Sequence, residues 1–156
     1  MKHKTFFLFS VVLVMTLLGA ALAPQTVYAR SGGGNGTLTA SGDGLAGIRG
    51  NGTVTVSGNG ILWIKDHAGD ASIQVSGSGV RRELPNGWIR YTGFQGQAVV
   101  SGSAVTVALS GYSIELQASG SGKFVLRGNG TYSVEKDGEI VVSGVWTEEA
   151  QVLNIP

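Results

Sequence analysis

The chain contains no cysteine. That excludes disulfides, thiolate metal sites, a cysteine nucleophile and a lipidated cysteine. Proline occurs three times and histidine twice in 156 residues. Charged residues make up 13%, about half the usual share. The formal charge of +1 lacks the strongly basic balance of a nucleic-acid-binding domain. Leu, Glu and Lys are sparse while Gly reaches 26, which excludes a helical bundle. The Gly-X-Y period of collagen is also missing.

What is present begins with a processing-type segment. Lys2 and Lys4 precede a nearly unbroken apolar run from Phe6 to Ala23, followed by Val27-Tyr28-Ala29. A basic start, an apolar core and a small-x-small end predict a secretory signal peptide over 1–29. An uncleaved anchor is the alternative, because about 18 apolar residues can just span a bilayer. A chain starting at Arg30 carries nine Lys/Arg, ten Asp/Glu and one His. Residues 30–156 are expected to form a single Gly-rich all-β domain. Exported and without disulfides, it must rely on its core and its backbone pairing.

The glycines are periodic. From Gly34 the chain reads GNGTLTAS, GDGLAGIR, GNGTVTVS, GNGILWIK. In pairs these blocks form a sixteen-residue duplication. Leu38–Val56 also aligns without gaps to Leu116–Val134. Within 34–64 the apolar residues Leu38, Ala40, Ala46, Ile48, Val54, Val56, Leu62 and Ile64 are all even-numbered. Odd positions are mostly Thr, Ser, Asn, Asp, Arg and Lys. Period-two alternation predicts strands with one buried face. A two-residue hairpin loop would swap the inward parity, and no swap occurs before Ile64. Each G-x-G is therefore a three-residue turn or a kink inside a longer strand. The parity shifts after Asp66–Asp70, predicting a loop that reverses the chain, and the even set returns at Ile114. Glu83–Gly87 is a second polar break, and Lys136-Asp137-Gly138 predicts a hairpin turn. The fold expected is an antiparallel β-sandwich or small barrel of Gly-kinked short strands. A β-solenoid is the alternative. The fragment Gln74–Val80 (QVSGSGV) resembles the repeat of secreted bacterial β-helical adhesin heads. Its spacing is tighter than in that family, and the Asp after the second Gly is missing.

Chemistry-bearing residues are few. His67 lies in Asp66-His67-Ala68-Gly69-Asp70, so Asp66, His67 and Asp70 are the candidate metal ligands. Turn chemistry explains the same residues. No G-x-S-x-G occurs. The acids Glu115, Glu135, Glu139, Glu148 and Glu149 are scattered along the chain, which leaves a carboxylate pair of the glycosidase kind open. The sequons at Asn35, Asn51 and Asn129 coincide with the turn chemistry of the repeat. Aromatics give the better signal. Trp63 falls on the outward parity, within a stretch apolar on both faces. Trp88, Arg90, Tyr91 and Phe94 follow Arg81 and Arg82 in the least repeat-like segment. Trp63, Trp88 and Tyr91 are the candidate binding residues, with Trp88 and Tyr91 predicted to share a patch.

These readings lead to one expectation. The chain is a secreted or surface-exposed bacterial protein, extracytoplasmic at the cell surface or in the periplasm. It has a structural or binding role in the cell envelope and no enzymatic activity. The alternatives are a carbohydrate- or protein-recognition module using 81–94, and a metal-dependent or hydrolytic enzyme around His67. No cofactor is expected. A protein or a glycan is the expected partner class and nucleic acid is not. A membrane enters only through an uncleaved signal segment.

Overall fold

The structure is a computed structural model and describes residues 35–155. The expected signal peptide over 1–29 lies outside the described residues. Those residues form strands and turns, with no helix among them. Strand β1 spans Gly36–Asp66, β2 Ser72–Glu83, β3 Trp88–Lys136, β4 Glu139–Val145 and β5 Gln151–Ile155. They make one antiparallel sheet ordered β1-β3-β2, with β4 and β5 also paired to β3. The sheet does not close on itself.

Two of these strands are far longer than the usual five or six residues. They fit because they bend. Most residues of β1 pair with β3 twice: Leu38 with Ala118 and Val134, Val54 with Val100 and Ala118. The two partners lie one wrap apart along β3. Following the ladders sideways gives one row Val142, Val134, Leu38, Ala118, Val54, Val100, Ile73. A second row reads Leu153, Phe124, Ile48, Val107, Ile64, Ile89, Glu83. The rows belong to two layers of a β-sandwich. The first holds 36–42, 52–58, 72–77, 96–102, 113–120, 130–136 and β4. The second holds 44–50, 60–66, 80–83, 88–94, 105–111, 122–128 and β5. Inward side chains of both layers form one buried cluster, with Phe94, Phe124, Leu38, Leu62 and Ile114 among its largest members. The ladders are antiparallel throughout, the pattern of the expected sandwich. Successive coils of a one-chain solenoid run parallel instead.

The G-x-G elements are the kinks between layers. Gly52 lies opposite Gly102 and Gly120. Its φ is 129°, and a Cβ there would overlap the Ser119 carbonyl oxygen and meet Gly120 Cα at 3.0 Å. On the inside of a corner, facing backbones come too close for any side chain. Along β1, consecutive eight-residue blocks therefore fall in alternate layers, and sixteen residues make one wrap. The long-range similarity also has a geometric counterpart. Leu38–Val56 pairs with Leu116–Val134 end to end, Leu38 opposite Val134 and Val56 opposite Leu116.

Parity changes along β3 mark bulges. The inward set is even from Val134 to Ile114, odd from Leu109 to Val105, even from Val100 to Phe94, then odd at Tyr91 and Ile89. A positive-φ residue sits at each switch: Ser113 (52°), Ala104 (53°) and Gly93 (65°). One inserted residue moves every later side chain to the other face. Two of these bulges are tied from β1. Ser113 N–H donates to Asp43 Oδ1 at 2.7 Å, and Ala104 N–H to Asn51 Oδ1 at 2.8 Å. Such ties offset the cost of about 1–3 kcal/mol for a non-glycine residue in that conformation.

The loop after β1 differs from expectation. It does not turn the chain back. Val54 and Ile73 both flank Val100, each antiparallel to it, so β2 runs parallel to that part of β1. The loop is an enlarged corner that carries the wrap onward. The turns at 84–87 and 137–138 do reverse the chain, joining β2 to β3 and β3 to β4. Asp137 and Gly138 have φ of 54° and 82°, the signature of a tight hairpin turn.

Candidate functional site

The residues expected to ligate a metal are spent on the corner loop. Asp66 Oδ1 accepts from Ala68 N (3.0 Å) and Gly69 N (2.8 Å), and Oδ2 from Ala71 N (2.9 Å). These bonds, that from Ala71 first, hold its carboxyl below the usual range. Asp70 accepts from Ser103 N at 3.0 Å and from Ser103 Oγ. His67 Nε2 lies 3.0 Å from Thr106 Oγ1. Partial desolvation, and then the charges of Arg49 and Lys65, hold its imidazole below the usual pKa. Among the described residues, no group of three His, Cys, Asp or Glu is placed to hold a metal ion. At His67 the charges of Arg49 and Lys65 disfavour a further cation, with Asp66 opposing them.

The aromatic candidates divide. Trp63 and Trp88 meet edge to face, ring centroids 6.1 Å apart at 88°. Tyr91 does not join them. It lies opposite Leu62 on the inward parity and packs against the core, 6.2 Å from Phe94. The expected Trp88–Tyr91 patch is thus corrected to Trp63–Trp88. A strand alternates its side chains, so residues 88 and 91 must point to opposite faces. Trp63 is half-buried on the outer surface of the second layer. Its strand is central, paired with β3 on both sides, but its outer face is open.

Two cations complete the group. Register places Arg90 beside Trp63 and Lys65 beside Trp88. The Arg90 guanidinium carbon lies 5.4 Å from the Trp63 ring centroid, and Lys65 Nζ 5.7 Å from that of Trp88. These are cation–π distances, worth about 0.5–1 kcal/mol each at exposed sites. Arg90 Nε is buried and has no hydrogen-bond partner, a cost of about 1–3 kcal/mol for a neutral donor and more for a charged one. The Nε edge of the guanidinium is thus held against the sheet without a partner, while the residue as a whole stays half-buried.

The ladder extends this group across the layer. Thr106 follows Lys65, then Arg49, then Lys123. Arg82 stands beside Arg90, and Arg127 lies beside Leu45. Arg49, Lys123, Arg82 and Arg127 are exposed. Among the described residues, no acid occupies an outward strand position of this face. Glu83, at its margin, is taken by Arg81 at 2.5 Å.

Sequence reading singled out the 81–94 segment but missed Arg49 and Lys123. They come from repeat-like stretches, and only the ladder brings them to the same surface. Trp146 was also missed. It is 4% exposed, donates from Nε1 to Thr131 O at 3.1 Å, and caps the corner at Gly130.

In comparison with family models, curated proteins and solved structures, the chain matches none.

Proposed function

We propose that this is an exported, extracytoplasmic binding module of the cell envelope that uses the outer face of its second layer, and that it performs no catalysis. One observation carries the reading. The Arg90–Trp63–Trp88–Lys65 group is built from four side chains of two strands on an open face, including a guanidinium whose Nε goes unpaired. Core packing gives no reason for it, because the core lies on the other side of the sheet. Recognition does: indoles offer flat apolar area, and ordered cations offer charge at little entropic cost.

The signal-type segment at 1–29 supports export. The missing nucleophile motif, and the use of Asp66, His67 and Asp70 in loop bonds, support a role without chemistry. The test is retention of purified protein on isolated envelope material. Wild type is retained and Trp63→Ala with Trp88→Ala is not, while both melt cooperatively. Equal retention of the two proteins rejects this face as the recognition surface.

A further inference from the structure

The cationic row reaches well beyond the aromatic group. Along one line perpendicular to the strands stand Trp88, Lys65, Thr106, Arg49 and Lys123. At a strand spacing of about 4.8 Å this row is about 19 Å long. Thr106 separates Lys65 from Arg49, and Arg49 and Lys123 are direct neighbours. The indoles stand at one end. We propose that this face binds an acidic polysaccharide. Its sugar rings lie on Trp63 and Trp88, and its carboxylate, sulfate or phosphate groups meet Lys65, Arg49 and Lys123 in turn. The inference rests on the binding reading above and adds the ligand class and the far end of the site.

Charge complementarity selects an anionic partner, because cations crowd here without acids among them. Shape selects a glycan. Reading duplex DNA takes an element that enters a groove, and this face is made of side-by-side paired strands. A membrane-anchoring surface presents aromatic tips that insert, whereas Trp63 and Trp88 are half-buried and packed edge to face. Sugar rings have apolar faces that suit flat indole surface, and their charges are spaced out rather than continuous.

The experiment uses affinity electrophoresis of the full chain in gels holding polygalacturonate, or dextran as the neutral control. Polygalacturonate is expected to retard the protein and dextran is not, and added salt abolishes the retardation. Arg49→Gln with Lys123→Gln is expected to weaken binding roughly three- to tenfold, the effect of losing two exposed ion pairs. Both residues are exposed, so melting should be unchanged, and thermal denaturation checks this. Equal retardation by dextran, or full affinity in the double variant, overturns the acidic-glycan proposal and leaves the aromatic binding face standing. Tighter binding to duplex DNA or to anionic vesicles than to polygalacturonate also overturns it. Loss of envelope retention in neither the tryptophan nor the cation variants removes both readings together.

Discussion

The outer faces of the two layers come from one repeated pattern, yet along β1 they carry different chemistry. In the first layer the outward residues of β1 are Thr37, Thr39, Ser41, Thr53, Thr55 and Ser57. Opposite them stand Gln97, Ser101, Gln117 and Ser119, with Glu115 and Glu135 the charged members. These groups satisfy one another. Thr53 and Ser101 hydroxyls lie 2.9 Å apart, and Ser41 Oγ donates to Glu115 at 2.7 Å. In the second layer the same block positions hold Leu45, Arg49, Ile61, Trp63 and Lys65. There the side chains are cationic, aromatic or apolar. Inward positions barely differ, since both layers must fill one core. The scaffold fixes the inside and leaves the outside free, so function is best sought where the outward residues depart from the repeat.

The largest expected effect breaks the comparison by removing the corner that separates the faces. Gly52→Val places a side chain against the Ser119 carbonyl oxygen at a φ of 129°. We expect a loss of about 4 kcal/mol or more, read as a large fall in Tm or as failure to fold. A melting curve like that of wild type would mean that 50–52 is no corner. Gly130→Val should behave similarly, because its Cβ would overlap the Ser41 carbonyl oxygen.

The next effect concerns the bulges, which set which residues face outward. Asn51→Ala removes the acceptor for Ala104 N–H. A loss of about 1 kcal/mol is expected, with amide exchange at Ala104 accelerated and Trp63–Trp88 packing kept. Unchanged exchange at Ala104 would show that the bulge stands without its tie.

A smaller and more direct comparison sets the faces against each other. Thr55→Ala on the first face should alter stability by less than about 0.5 kcal/mol and leave polygalacturonate binding alone. Trp63→Phe on the second should also keep the fold, yet reduce binding several-fold, because indole is the stronger cation–π and stacking surface. Equal losses for the two variants would erase the functional distinction between the faces.

Much of this architecture was legible in the sequence. The even parity from Leu38 to Ile64 names the inward set, and the return of the even set at Ile114 marks the bulge at Ser113. Two things were not legible. Parity says which face a residue takes but not which segment lies beside it. Trp63 meets Trp88, and Arg49 meets Lys123, only through the register. Turn chemistry was also ambiguous. Asn-Gly and Asp-Gly suit hairpins and corners equally, and side chains such as Asp43 find their acceptor role 70 residues away. Asp66–Asp70 suits a reversal in the sequence for the same reason. A polar five-residue break looks alike whether the chain turns back or rounds a corner.

The finest test uses His67 as a gauge of the second face. Its imidazole lies at the margin of the cationic row. Desolvation and then Arg49 and Lys65 hold its pKa below the ordinary 6.5, with Asp66 opposing them. A depressed folded value means that the fold favours neutral His67. That contribution is present above the unfolded pKa and is lost as pH falls through the folded one. Arg49→Gln removes one of the repelling charges, so the titration observed by NMR should move up, while Thr55→Ala should leave it in place. Polygalacturonate bound along Lys65 and Arg49 should move it up as well, by screening the same charges. It follows that a wild-type titration unmoved by the polysaccharide, in a sample that demonstrably binds it, would place the ligand away from this row. The two faces would then have to be compared afresh, with the first as the binding surface.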